Sequence, residues 1–375
     1  MRSPRALAAL AGTLTVVLAL PASASIAPFG PPQQACGSAN LPGRVKIAPL
    51  ASGALWGASS CGAGIRIVSR APGGAWRSTP AWSGDYGVAA VADDGATTFV
   101  VLRSPEDYDP AGTTLYVGKV PHGGRPSALT QLVGIGDTTE EASIVARDGR
   151  WWAFYSLTRS GRFPDDNEQG SATLHWRKTM GGAAEGSFPS DVRYVDTPSA
   201  ALTASGVVLT FQRQYDVVGP RTLFLATATP DGVFQETNLG PVDYYRSSDV
   251  AHAGGRTFVA WTRNHAPVLR YETADGPRVF ELPHRGDVGA ILVAASGGHV
   301  FVATEETFSY QGGQTTRVYV RDVSSTGAVS ATEVSAAAGR TNPHVRWVLD
   351  DLTAARGRAT ALVWTASTTL SFSQS

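Results

Sequence analysis

Residues 249–263 read DVAHAGGRTFVAWTR. A strand of small residues runs into a glycine turn, and a strand of large apolar residues leaves it. The first half suits a strand crowded by neighbours; the second suits a strand buried on both faces. The same plan recurs at 46–60 (KIAPLASGALWGASS), 89–103 (AAVADDGATTFVVLR), 143–159 (SIVARDGRWWAFYSLTR), 200–214 (AALTASGVVLTFQRQ), 291–306 (ILVAASGGHVFVATEE) and 351–367 (DLTAARGRATALVWTAS). The turn glycines are Gly53, Gly95, Gly149, Gly206, Gly255, Gly298 and Gly357, spaced 42 to 59 residues apart and about 51 on average. A second, weaker pair of strands lies between successive hairpins, as in TLFLATATPDGVFQET (222–237) and LRYETADGPRVFEL (269–282). Each alternates around a Gly, Pro or Asp turn.

Four antiparallel strands in about 50 residues make one blade of a β-propeller. The fold expected is therefore all-β, with seven four-stranded antiparallel blades. The alternative is a six-bladed ring with one hairpin outside it. No window carries a sustained apolar period of 3.6, so few helices are expected. The last unit has only three strands, LDDLTAA, ATALVW and TTLSFSQS. An N-terminal segment at 25–43 is expected to supply its outer strand and close the ring, leaving 44–375 as a single propeller domain.

The first residues have the pattern of a targeting segment. Arg2 and Arg5 precede an apolar run from Leu7 to Leu20, and Pro21-Ala22-Ser23-Ala24 follows with small residues. Residues 1–24 read as a signal peptide, which predicts a secreted, extracellular protein without a membrane anchor. Cys36 and Cys61 are the only cysteines. In an exported chain such a pair reads as a disulfide, closing a loop of about 25 residues and contributing ~3–4 kcal/mol. Two metal ligands are the alternative, but no His or Cys stands at ligand spacing. The 31 Lys and Arg balance 31 Asp and Glu. That balance argues against a nucleic-acid partner, which needs clustered excess cation. A monomer is expected.

Ser69-Arg70-Ala71-Pro72-Gly73-Gly74-Ala75-Trp76 resembles the Asp-box, Ser-x-Asp-x-Gly-x-Thr-Trp, of the sialidase-type propellers with BNR repeats. It matches at Ser69, Gly73 and Trp76, with Ala71 and Ala75 at the Asp and Thr positions. The resemblance implies a glycan-directed propeller that binds, and in sialidases cleaves, an acidic saccharide. The Arg-Ile-Pro motif of those enzymes has no match: Arg44-Val45-Lys46 and Arg66-Ile67-Val68 are the nearest stretches.

Loops after second strands and before first strands share the rim around the axial channel. Arg103, Arg159, Arg213 and Arg263 end the second strands of four successive units, and Glu305-Glu306 end that of the sixth. Converging guanidinium groups would grip an anionic ligand, such as an acidic saccharide. The alternative is repeat inheritance, with each arginine paired to a loop acid such as Glu106, Asp165 or Asp216. Asp249 and Asp351 each lie six residues before a turn glycine, which places both on inner strands facing the channel. They suit a general acid or base, or a tie between neighbouring strands. Tyr245, His344 and Trp347 are rim candidates for binding; the tyrosine and the tryptophan suit stacking on sugar rings, or covering the core. A sialidase-like reaction would use Tyr245 with Glu306, and a lyase Tyr245, His265 and Arg263. The competing reading is a non-catalytic scaffold that binds a protein or wall polymer. Arg285-Gly286-Asp287 and the acidic loop Asp165-Asp166-Asn167-Glu168 are better explained as a chance triplet and a solvated loop. No metal site or cofactor is expected.

Overall fold

The computed structural model describes Phe29, Pro31 and residues 33–37, 45–60, 64–104, 114–133, 142–158, 172–182, 184–188, 194–214, 220–229, 234–243, 248–273, 275–310, 313–324, 329–334, 347–365 and 368–374. These form seven four-stranded antiparallel sheets. Blade one is β2 (Val45–Pro49), β3 (Leu55–Ser59), β4 (Ile65–Arg70) and β5 (Arg77–Trp82). Blade two is β6 (Gly87–Asp93), β7 (Thr97–Arg103), β8 (Leu115–Pro121) and β9 (Thr130–Gln131). Blade three is β10 (Ala142–Arg147), β11 (Arg150–Thr158), β12 (Ala172–Lys178) and β13 (Glu185–Ser187). Blade four is β14 (Tyr194–Leu202), β15 (Val207–Gln214), β16 (Arg221–Ala228) and β17 (Phe234–Val242). Blade five is β18 (Ser248–Ala253), β19 (Arg256–Arg263), β20 (Ala266–Thr273) and β21 (Gly276–Glu281). Blade six is β22 (Asp287–Ser296), β23 (His299–Tyr310), β24 (Gly313–Val323) and β25 (Val329–Glu333). Blade seven is β26 (Val348–Ala355), β27 (Arg358–Thr365) and β28 (Thr368–Ser373), with β1 (Gln33–Gly37) on its outer edge.

The protein is thus a seven-bladed β-propeller. Each first strand lies beside that of the next blade, and β26 lies beside β2, closing the ring. Strand β1 runs antiparallel to β28, with Gln33 opposite Ser371 and Gly37 opposite Thr368. A bridge from Phe29 to Gln374 extends the pairing. Cys61 and the Cys36 side chain lie outside the described residues, as does the 1–24 segment. Among the described residues no helix is long and apolar enough to cross a membrane.

The core is divided among the gaps between blades. Seven apolar clusters each bridge two adjacent blades. Second strands feed both neighbouring gaps, so every residue of β15 is buried. Trp152 and Trp261 are the largest of these buried side chains; an apolar side chain of this class contributes ~1.5–3 kcal/mol on burial. The gap between blades seven and one has the smallest cluster, Val45, Ile47, Leu55, Val68 and Leu362.

Six of the seven turn glycines have positive φ, from 71° to 96°, the left-handed region that glycine enters freely. Gly206 is the exception. A Cβ there would lie 2.0 Å from the Ala228 carbonyl oxygen, so close approach of β16 demands the glycine. The Asp-box-like stretch forms the β4–β5 turn: Gly73 has φ of 69°, and the Gly74 amide donates to Ala71 O at 2.9 Å.

Candidate functional site

The first strands surround an axial channel of about 420 Å³, within the range of small-ligand sites. Its wall includes Lys46, Ser143, Ser199, Asp249, His252 and Asp351. Asp249 is held on all sides. Its Oδ1 accepts from the Ser199 hydroxyl and from the Val250 amide at 2.9 Å, and its Oδ2 accepts from the Val293 amide of blade six at 2.8 Å. Burial pushes this carboxyl above the usual carboxylate range, against those hydrogen bonds and the Lys46 charge.

Asp351 has the same role two seams further on. Its Oδ2 accepts from the Ile47 amide at 2.7 Å, across the ring closure, and its Oδ1 from the Leu352 amide at 2.9 Å. Burial raises it to about 6; the Lys46 charge and the Ile47 amide oppose that shift, and neighbouring Asp350 adds to it. Asp350 Oδ2 accepts from the Val45 amide at 2.9 Å, while the Lys46 ammonium donates to the Asp350 carbonyl oxygen. The two acids are set side by side by a bulge between Leu349 and Asp351.

A common device emerges around the channel. A polar side chain of one blade accepts a main-chain amide of the next: Ser143 from Ala200, Ser199 from Val250, Asp249 from Val293, Glu305 from Leu349, and Asp351 from Ile47. Ser143 stands six residues before Gly149, the spacing shared by Asp249 and Asp351. That spacing was a signal for Ser143, which the sequence reading passed over along with Lys46 and Ser199.

The remaining candidates divide by environment. Glu306 is fully buried and does not line the channel. It pairs with the buried Arg321 guanidinium, accepts from Thr304 Oγ1 at 3.0 Å, and accepts the Arg285 and Gly286 amides at 2.8 and 3.0 Å. Although burial alone would raise it, Arg321 and those amides hold its carboxyl below the usual range. Arg285-Gly286 is therefore a loop clamped from beneath. Arg213 is buried and grips Glu236 bidentately at 2.9 and 2.8 Å, over the rings of Phe211 and Phe224. Arg103 lies along Gly87, whose Cβ, if present, would be 2.8 Å from Arg103 Nε.

Arg263 is different. It ends β19 half-buried, and forms no ion pair among the described residues. The turn that follows has Asn264 and His265 at positive φ, 54° and 61°. Asp243 pins it by accepting their amides at 3.0 and 2.8 Å. Trp347 is 9% exposed and packs in the cluster between blades six and seven, with its amide and carbonyl both bonded to the Thr316 hydroxyl. Arg159, Tyr245, His344 and the Asp165–Glu168 loop lie outside the described residues. Among the described residues no group of three or more His, Cys, Asp or Glu could hold a metal ion.

Fold and channel together define the class: a seven-bladed propeller whose channel, lined largely by small and apolar side chains, has acids that tie blade to blade. No protein-family model and no curated protein matches the chain. Solved structures do. Virginiamycin B lyase from Staphylococcus aureus superposes with a TM-score of 0.51 at 12% identity, covering 93% of this chain and 100% of that one. YCF48 bound to D1 peptide gives 0.50 at 11% identity, covering 96% and 100%. Trypanosoma rangeli sialidase gives 0.45 at 11% identity, covering 81% of this chain and 56% of that one. At these identities the likeness is one of fold.

Proposed function

We propose that this protein is an exported propeller that binds an acidic glycan, or a similar anionic ligand, at the channel mouth without cleaving it. One observation carries the reading: the carboxylate oxygens of Asp249, Asp351 and Glu306 are already engaged by main-chain amides and side chains of the fold. A general acid or nucleophile needs an oxygen free to meet the scissile bond. Arg263, which forms no ion pair among the described residues, supports an anionic ligand. The fold alone does not choose, since a lyase and a peptide-bound propeller share it.

The test is a panel of sialosides, polyuronates and sulfated polysaccharides, assayed for binding by calorimetry and for product by mass spectrometry. Saturable binding of an acidic member with no product is the expected result. Product release would overturn the non-catalytic reading, and failure of every acidic member to bind would remove the ligand class.

A further inference from the structure

The charges of this neutral chain are unevenly placed. Asp85 is the first acidic residue and Asp351 the last. Residues 25–84 and 352–375 together hold seven Lys or Arg and no Asp or Glu. Those stretches build blade one, β1 and the outer part of blade seven, so the ring brings them together at its closing seam. On the channel side of that seam Lys46 meets Asp350 and Asp351. Among the described residues the turn side has no such answer.

There a groove of about 630 Å³ runs between the two blades and β1. Its cations are Arg70 from blade one and Arg356 and Arg358 from blade seven, and none forms an ion pair among the described residues. Arg70 is fixed in place. Its two terminal nitrogens donate to Ser371 Oγ at 3.1 Å and Ser373 Oγ at 2.6 Å, and its guanidinium lies 5.2 Å from the centre of the Trp76 ring. Its Nε is buried with no acceptor among the described residues. A positioned guanidinium with an unfilled donor and no counter-charge attracts an oxyanion, because Arg stays ionised and its donors form a fork. The Ser371 hydroxyl that accepts from Arg70 keeps its own proton to donate.

We propose that this seam groove is an anion site, taking a sulfate or carboxylate group either as the free ion or as part of an acidic saccharide. Arg70 is the anchor; Arg356 and Arg358 are exposed flanking charges. The site is separate from the mouth reading, since it lies by the turns of Gly53 and Gly73, away from Arg263. Its walls are the first blade, the last blade and β1, so an occupant stabilises the closed ring by mass action.

Equilibrium dialysis of the full chain tests this, using labelled inorganic sulfate, a sulfated disaccharide and a uronate disaccharide in chloride buffer of fixed ionic strength. One saturable anion per chain is expected. Arg70→Gln should weaken it about tenfold or more, and the double change Arg356→Ala/Arg358→Ala about three- to tenfold. Arg263→Ala should leave it unchanged, which keeps this site distinct from the mouth. Sulfate binding equal to that of the saccharides assigns the free ion; tighter saccharide binding assigns an acidic chain. Sulfate should also raise the melting temperature of wild type more than that of the double variant, a comparison that removes its general salting effect. Absence of saturable binding by all three probes, or equal affinity in wild type and both variants, overturns the proposal. Should Arg70→Gln fail to fold by circular dichroism, the exposed double variant decides.

Discussion

Glu306 and Asp351 show how the same carboxyl group is shifted in opposite directions within one fold. Glu306 is fully buried against Arg321, itself 1% exposed. Glu306→Gln leaves that guanidinium without its counter-charge, so a loss of about 3–5 kcal/mol in denaturant unfolding is expected. A loss under about 1 kcal/mol would mean that the pair is not formed in solution. Asp351 is pushed the other way, from 3.8 to about 6. A carboxyl raised on folding favours its protonated form, so its contribution is full below its unfolded value and is lost as pH rises through about 6. Asp351→Asn removes that titration at the cost of one acceptor. The variant should therefore be most destabilised relative to wild type near pH 4, and the gap should narrow towards about pH 7. Denaturant melts across that window check it; a constant gap would show that folding leaves the titration of Asp351 unshifted.

Among the elements, second strands were the readable ones. Their apolar runs, as in FVVL, WWAFY and FVAW, reflect burial on both faces, and that demand is strong enough to mark seven hairpins without helical signal. The ends of those strands were harder. Successive strand residues point to opposite faces, so Glu305 reaches Leu349 of blade seven while Glu306 turns under the Arg285 loop. Adjacent letters in the sequence gave no hint of that split. The inner-strand bulges, at Val88/Ala90, Asp196/Ser199, Val288/Ala290 and Leu349/Asp351, leave no common residue signature either. Asp249 and Asp351 were readable as channel residues because their spacing to a turn glycine is shared. Strand β1 supplies a further test. Deleting the chain through Gly37 exposes the outer edge of β28, a template for pairing between molecules. The truncated protein should aggregate or melt earlier than wild type by light scattering and calorimetry. A monomer with unchanged melting would show that β1 does not hold the ring.

At the scale of the whole molecule, sequence position made Arg213 and Arg263 equivalent, and the fold separates them. Both end second strands on adjacent blades, so a repeat argument gives both to the ligand. Packing decides otherwise: Arg213 is covered by two phenylalanine rings and neutralised by Glu236, which is 27% exposed, whereas Arg263 stands beside a pinned turn with no ion pair among the described residues. The two substitutions should therefore separate stability from binding. Arg213→Ala removes a bidentate pair and a cation–π contact and should cost about 1–3 kcal/mol of stability, with ligand affinity of the folded fraction nearly intact. Arg263→Ala removes no ion pair among the described residues and should leave melting close to wild type. It should weaken an acidic ligand about ten- to a hundredfold, the equivalent of one or two charge-assisted hydrogen bonds. Calorimetric melting and titration on the same two variants read both axes. If Arg263→Ala mainly lowers the melting temperature, that arginine is a strut as Arg213 is, and the anionic ligand at the mouth loses its support.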